Sequence, residues 1–186
     1  PFKTQLEVIM AGRTLFLGDP HLGSENTAKW RGFESVEEHD DSVMDSILDQ
    51  VMSRDTLVLA GDIDWRGGEH FDECFERACI KKFGGVINLT IRVVMGNHDK
   101  YSSLLKSKYI VSYHGCLEYG GNDHKIVVTH IPVLPDCLNR WVVDIHGHRH
   151  EDLINDSRFI NCSWEQHRSP LLLSDIITKV NTFMKS

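Results

Sequence analysis

The sequence predicts a layered α/β domain with strands inside and helices outside. Short apolar runs rich in β-branched residues alternate with amphipathic stretches, the pattern of a layered fold. Some runs, such as Leu57-Val58-Leu59-Ala60 and Ile126-Val127-Val128, are continuous rather than alternating, as in strands covered on both faces. The 186 residues hold no repeat, linker or low-complexity segment, so a single domain over 1–186 is expected.

Element by element, strands are expected over Leu6–Met10, Thr14–Leu17, Thr56–Ala60, Ile91–Met95, Lys125–Thr129 and Trp141–Ile145. Val36, Val43, Ile47, Leu48 and Val51 recur at helical spacing, and Ser35 with Glu38 forms a capping box at that helix's start. A second helix is expected over Glu69–Lys82, with Phe71, Cys74, Phe75, Ala78 and Cys79 on one face and Gly84-Gly85 as its stop. A third follows Ser174, its stripe formed by Ile176, Ile177, Val180 and Met184. Gly120-Gly121-Asn122-Asp123 reads as the turn of a hairpin joining Cys116–Tyr119 to Lys125–Thr129.

Composition excludes several classes of function. At 41% apolar and 25% charged, the chain is that of a globular protein rather than a disordered one. No apolar run approaches the roughly 18–20 residues that span a bilayer, so no membrane association is expected. The first residues, Pro1 to Gln5, lack the marks of a secretion signal, and five cysteines without CxxC spacing fit free thiols in a reducing cytoplasm. A net charge of −7 with no Lys/Arg block argues against broad nucleic-acid binding. Eleven histidines in so acidic a chain call for an account that composition alone does not supply.

Their positions supply it. Thr14–Leu17 runs into Gly18-Asp19-Pro20-His21, Thr56–Ala60 into Gly61-Asp62-Ile63-Asp64, and Ile91–Met95 into Gly96-Asn97-His98-Asp99. Lys125–Thr129 runs into His130, and Trp141–Ile145 into His146-Gly147-His148-Arg149-His150. Residues just beyond the carboxyl ends of strands converge on one crevice in layered α/β proteins, so all five groups can face one site. Singly each motif is weak; an Asp-x-His or a Gly-Asn-His-Asp is more often a turn or a solvated pair. Five in succession, each closing an apolar strand, are a site. Asp, Asn and His without a thiolate make an oxygen/nitrogen environment suited to Mn, Fe or Zn more than to Ca or a Cys-type structural zinc. Two divalent ions about 3.5–4 Å apart are best held by a bridging carboxylate, and Asp62 is the candidate bridge.

This set of motifs resembles the signature of the calcineurin-like metallophosphoesterase superfamily across Gly18 to His150. The resemblance implies a four-layer αββα sandwich of two mixed β-sheets flanked by helices. It implies that Asp19, His21, Asp62 and His150 hold one metal and that Asp62, Asn97, His130 and His148 hold the second. His98 corresponds to the catalytic histidine, with Asp99 expected to orient it by accepting a hydrogen bond. Mn²⁺ is the expected metal, with Fe, Zn, Ni or Co as alternatives. Arg66 sits where protein phosphatases of the superfamily carry an arginine and is a candidate phosphate clamp, although Trp65 replaces the preceding Asp. Asp64 and His146 read as supporting residues, and His39, His70, His114, His124 and His167 as surface or packing residues. Trp30-Arg31-Gly32-Phe33, Ser35-Val36-Glu37-Glu38, Ile160-Asn161-Cys162-Ser163-Trp164 and Ser169-Pro170-Leu171 resemble segments of small capless bacterial and phage phosphoesterases.

The expected activity is hydrolysis of small or nucleotide-type phosphate esters by a phosphodiesterase. Gly-Asn-His-Asp in place of the phosphatases' Gly-Asn-His-Glu, and Trp65, set it apart from protein phosphatases. A phosphomonoesterase and an idle scaffold of the same fold are the alternatives; retention of His98 and all expected ligands speaks against the scaffold.

Overall fold

A computed structural model describes residues 12–120 and 125–183. The expected strand Leu6–Met10, most of the glycine turn and His124 lie outside the described residues.

Two mixed sheets face one another. The first has the order β4-β3-β2-β1-β9, built from β1 (Thr14–Leu17), β2 (Thr56–Ala60), β3 (Thr90–Val94), β4 (Ile110–His114) and β9 (Leu171–Leu172). Strands β1 to β4 are parallel and β9 is antiparallel to β1. The second sheet has the order β5-β6-β7-β8, from β5 (Leu117–Tyr119), β6 (Ile126–Thr129), β7 (Val143–His146) and β8 (Phe159–Asn161). Here β6, β7 and β8 are parallel and β5 is antiparallel to β6.

Side-chain alternation along the strands divides the core. Phe16, Val58, Ala60 and Val94 meet Ile126, Val128, Val143 and Ile145 between the sheets. Leu15, Leu17, Leu57, Leu59, Ile91 and Val93 point to the other face of the first sheet. That face is covered by α2 (Val36–Leu48), through Val43, Met44, Ile47 and Leu48, and by α3 (Gly68–Phe83), through Phe71, Cys74, Phe75, Ala78 and Cys79. Two sheet faces and two helix stripes are thereby removed from water, the main favourable term in forming the fold. On the outer face of the second sheet, Val127 and Phe159 pack on Leu138 of a 3₁₀ turn, Pro135–Arg140, so this fourth layer is thin.

Local signals set the helix ends. Ser35 Oγ accepts the Glu38 N–H at 3.1 Å, while the Glu38 carboxylate accepts from Glu34 rather than from Ser35 itself. Gly84 ends α3 in the left-handed region at φ 76°. Helix α1 (Glu25–Trp30), capped by Ser24, and the single turns α4 (Tyr101–Leu104) and α5 (Trp164–His167) lack a stripe by which the sequence would announce them. The last helix, α6 (Leu173–Phe183), packs Ile176 and Val180 into the core between the sheets. Among the described residues no helix is long and apolar enough to cross a membrane.

Pairing continues past the strand ends where the site is built. Asp19 N–H donates to Gly61 O, His21 N–H to Asp62 O and Leu22 N–H to Ile63 O, at 2.9–3.1 Å. The loops after β1 and β2 are therefore locked to each other in register.

Candidate metal centre

The loops after β1, β2, β3, β6 and β7 meet at the carboxyl ends of these parallel strands, and the expected residues fall into two groups. Ligand atoms of Asp19, His21 and His150 lie within 4.8 Å of one another, as do those of Asp62, His130 and His148. Asp62 Oδ2 stands between the groups, 3.7 Å from His21 Nε2 and 3.4 Å from His130 Nε2. Asn97 Oδ1 is 2.9 Å from His130 Nε2, completing the second group.

These atoms fit a pair of divalent ions. Asp19 Oδ1 and His21 Nε2, 3.8 Å apart, are both buried without a hydrogen-bond partner. Orphaned buried polar atoms carry an energetic penalty that a shared cation removes. His130 Nδ1 lies 3.0 Å from Ala60 O, and His150 Nδ1 3.0 Å from Glu165 Oε1. With Nδ1 engaged in this way, Nε2 of each ring is the nitrogen left for a metal.

The backbone is shaped for this convergence. Seven described non-glycine residues have positive φ, and five are candidate ligands: Asp19 (57°), His21 (50°), Asp62 (54°), His148 (66°) and His150 (46°). Left-handed backbone at Asp and His clusters at functional sites, where surrounding structure enforces it. Two glycines make room. A Cβ on Gly96 would sit 2.2 Å from Asp62 Oδ1, and one on Gly147 would sit 2.6 Å from Asp19 Oδ2.

A family model, calcineurin-like phosphoesterase, matches residues 12–183. The chain belongs to the calcineurin-like phosphoesterase family. An uncharacterised protein of Methanocaldococcus jannaschii is 26% identical over 159 residues, covering 82% of this chain and 78% of that one. A protein of unknown function from Aquifex aeolicus superposes with a TM-score of 0.70 at 20% identity, covering 90% of this chain and 98% of that one, and shares the fold. An archaeal phosphodiesterase gives a TM-score of 0.44 at 19% identity, covering 80% and 82% respectively. Family membership makes the chain a phosphoric ester hydrolase of the metal-dependent kind.

In this phosphoesterase, burial is the largest influence on Asp19 and pushes its carboxyl up to about 6, against the opposing pull of His130 and the Ser163 hydroxyl. Burial also pushes His21 down to about 3. Burial acts to raise Asp62 as well, but the His130 ring, the His98 backbone N–H and His21 outweigh it and hold that carboxyl at about 2. A neutral His21 and an ionised Asp62 are the protonation states that metal ligation requires.

His98 is exposed in a cleft of about 440 Å³ bordered by His21, Gly23, Thr27, Trp65 and Arg66. Its ring lies 6.0 Å from that of His21 and 5.5 Å from that of Trp65. Arg66 is exposed on the same cleft and has no ion pair among the described residues.

Asp99 departs from expectation. Instead of orienting the His98 ring, its Oδ2 accepts the N–H groups of Asp62 (2.9 Å) and Gly96 (2.8 Å), and its Oδ1 accepts that of Ile63 (2.8 Å). Adjacency in sequence pointed to His98, but the turn aims the carboxylate across to the loop that carries Asp62. Asp99 is a backbone anchor.

A further set of supporting residues escaped the sequence reading. Ser163 Oγ donates to Asp19 Oδ2 at 2.7 Å. Arg31 donates to the Asp19 and Pro20 carbonyls and pairs with Glu165, which in turn holds His150. Arg31 and Glu165 are 134 residues apart, so spacing carried no signal of the pair. The signal that existed was the likeness of the segments around Arg31 and Ser163 to those of small capless phosphoesterases. His39, expected as a surface or packing residue, is fully buried between Arg31 and Asp40 through both ring nitrogens.

Proposed function

We propose that this chain is a dinuclear-metal phosphodiesterase acting on small nucleotide-type esters. The observation that carries this reading is an exposed indole, Trp65 (57% exposed), lying against His98 on the wall of the cleft that His21 also borders. A second, Trp30 (55% exposed), stands edge-on to His150 at 5.4 Å between ring centroids. Exposed aromatic faces beside a phosphate site suit stacking of a nucleobase, a contact worth about 1–3 kcal/mol per base.

Asp19, His21, Asp62 and His150 would hold one ion, and Asp62, Asn97, His130 and His148 the other. When bound, two divalent ions supply Lewis acidity towards phosphoryl oxygens and bring water into the range of a neutral-pH nucleophile. The donor set of oxygen and imidazole nitrogen favours Mn²⁺, with Fe, Zn, Ni or Co as substitutes. His98 donates a proton or hydrogen bond to the leaving oxygen, the general-acid role for an imidazole that faces the cleft. Arg66 supplies a guanidinium to the phosphate oxygens from the same wall. Five free cysteines support a reducing, cytoplasmic setting.

The test is a panel of cyclic nucleotides, dinucleotides, glycerol phosphodiesters and the mono- and bis-p-nitrophenyl phosphates, with Mn²⁺ and with chelator. Diester turnover that needs metal is the expected result, with Trp65→Ala raising KM roughly 5- to 100-fold for nucleotides alone. Preference for the monoester, or equal loss of glycerol-ester hydrolysis in Trp65→Ala, overturns the reading.

A further inference from the structure

A third cluster of metal-ligating side chains lies apart from the two groups already described. Asp40 of α2 and His70 and Cys74 of α3 bring ligand atoms within 4.8 Å of one another. His70 and Cys74 are spaced i, i+4, which sets both side chains on one face of α3 towards α2. Asp40 and Cys74 are buried, and only the His70 ring reaches partly to solvent.

We propose that Asp40, His70 and Cys74 form a mononuclear zinc-type site, with a water as fourth ligand, that fixes the floor of the cleft. His70 Nε2 lies 3.6 Å from Asp40 Oδ2 and 3.8 Å from Cys74 Sγ. A tetrahedral zinc with bonds of about 2.0–2.3 Å separates its ligand atoms by roughly 3.3–3.6 Å, so small side-chain adjustments close the site. The other ring nitrogen, Nδ1, is held by Asp64 Oδ2 at 2.8 Å, the carboxylate–histidine arrangement that aims Nε2 at a metal. A carboxylate and a thiolate balance the charge of a divalent ion. Arg77 Nη2 lies 3.8 Å from Cys74 Sγ, and its own charge is paired with Asp41. Sulfur in the donor set selects zinc here, in contrast to the sulfur-free groups at the strand ends.

The site is wired to the cleft. Asp40 also accepts the Gly23 N–H, and Asp64 accepts the N–H groups of Arg66 and Gly67. An ion here ties α2 and α3 to the two loops that present Gly23, Trp65 and Arg66. The rival occupant is a proton: hydrogen bonding to Asp64, then to Cys74, pushes His70 up to about 10, so an imidazolium can satisfy the same carboxylates.

Cobalt(II) separates the two. The full chain is stripped with chelator and reloaded with Co²⁺, and its near-ultraviolet spectrum is recorded beside that of Cys74→Ser. Thiolate-to-cobalt charge transfer in the native chain, lost in the variant, is the expected result. Zinc-loaded native protein is further expected to carry one more equivalent of metal per chain than Cys74→Ser. Absence of charge transfer in the native chain overturns the proposal without recourse to any variant. A band that persists in Cys74→Ser, or equal zinc content in the two chains, also overturns it. The sulfur-free strand-end groups give no such band, so failure of the phosphodiesterase reading would leave this test unaffected.

Discussion

Substituting Asp99 by Asn tests whether that residue supports the Asp62 loop or the His98 ring. The carboxylate accepts three backbone N–H groups, from Gly96, Asp62 and Ile63. An amide oxygen in the Oδ2 position keeps the first two but places an NH₂ group against the Ile63 N–H. One buried donor left without an acceptor costs about 1–3 kcal/mol, while burial already disfavours the charged Asp99 carboxyl, so neutralising it adds no further cost. A cost near 2 kcal/mol is about a 30-fold shift in the folding equilibrium. It is concentrated where Asp62 is held at φ 54°. The expected outcome in Asp99→Asn is a lower urea midpoint in the metal-free protein together with weaker binding of metal by titration calorimetry. Turnover falls with metal occupancy and recovers as metal is raised. Native stability and metal affinity combined with lost turnover at saturating metal would refute this, and would return Asp99 to the role of orienting His98.

Three further outcomes follow from the geometry. Gly96→Ala drives a Cβ to 2.3 Å from the Asp62 backbone nitrogen, so soluble yield and metal content should collapse, whereas Gly85→Ala, with open space around it, should behave as native. His98→Ala should keep its metals by elemental analysis while turnover drops about 10²–10⁴-fold; unchanged turnover removes His98 from the reaction. Burial raises Asp144 to about 6, opposed by its bonds from Val133 and Thr129. The folded state therefore holds this proton more tightly than the unfolded chain. Stability from Asp144 is present below pH 4 and is lost as pH rises through 6, by about 3 kcal/mol. Urea titrations in chelator across pH 4–7 should show a flatter profile for Asp144→Asn than for the native chain.

The parts of the fold legible in the sequence are those whose burial leaves a periodic trace. Strands β1 and β2 match their expected bounds because both faces are covered and their apolar runs are unbroken. Helices α2 and α3 were legible through their stripes and their Ser35 and Gly84 ends. Helix α1 buries only Ala28 and so has no stripe, and the edge strand β4 alternates Ile110 with exposed or half-exposed residues. Strands β8 and β9 span three and two residues, too few for any period to register. At the site, the candidate ligands were legible because each follows a strand. Their supports were not, because Arg31, Glu165 and Ser163 act across long separations that only the folded chain closes.

The left-handed backbone at Asp19, His21, Asp62, His148 and His150 also sets a direction for laboratory evolution. At about 1 kcal/mol for each such residue, the five together approach the lower end of a domain's whole net stability. Glycine at these positions relieves that strain and removes a candidate ligand in the same step. A library selected only for soluble expression in chelator should therefore enrich glycine at these sites and shed hydrolysis. Selection for turnover would hold all five against that drift.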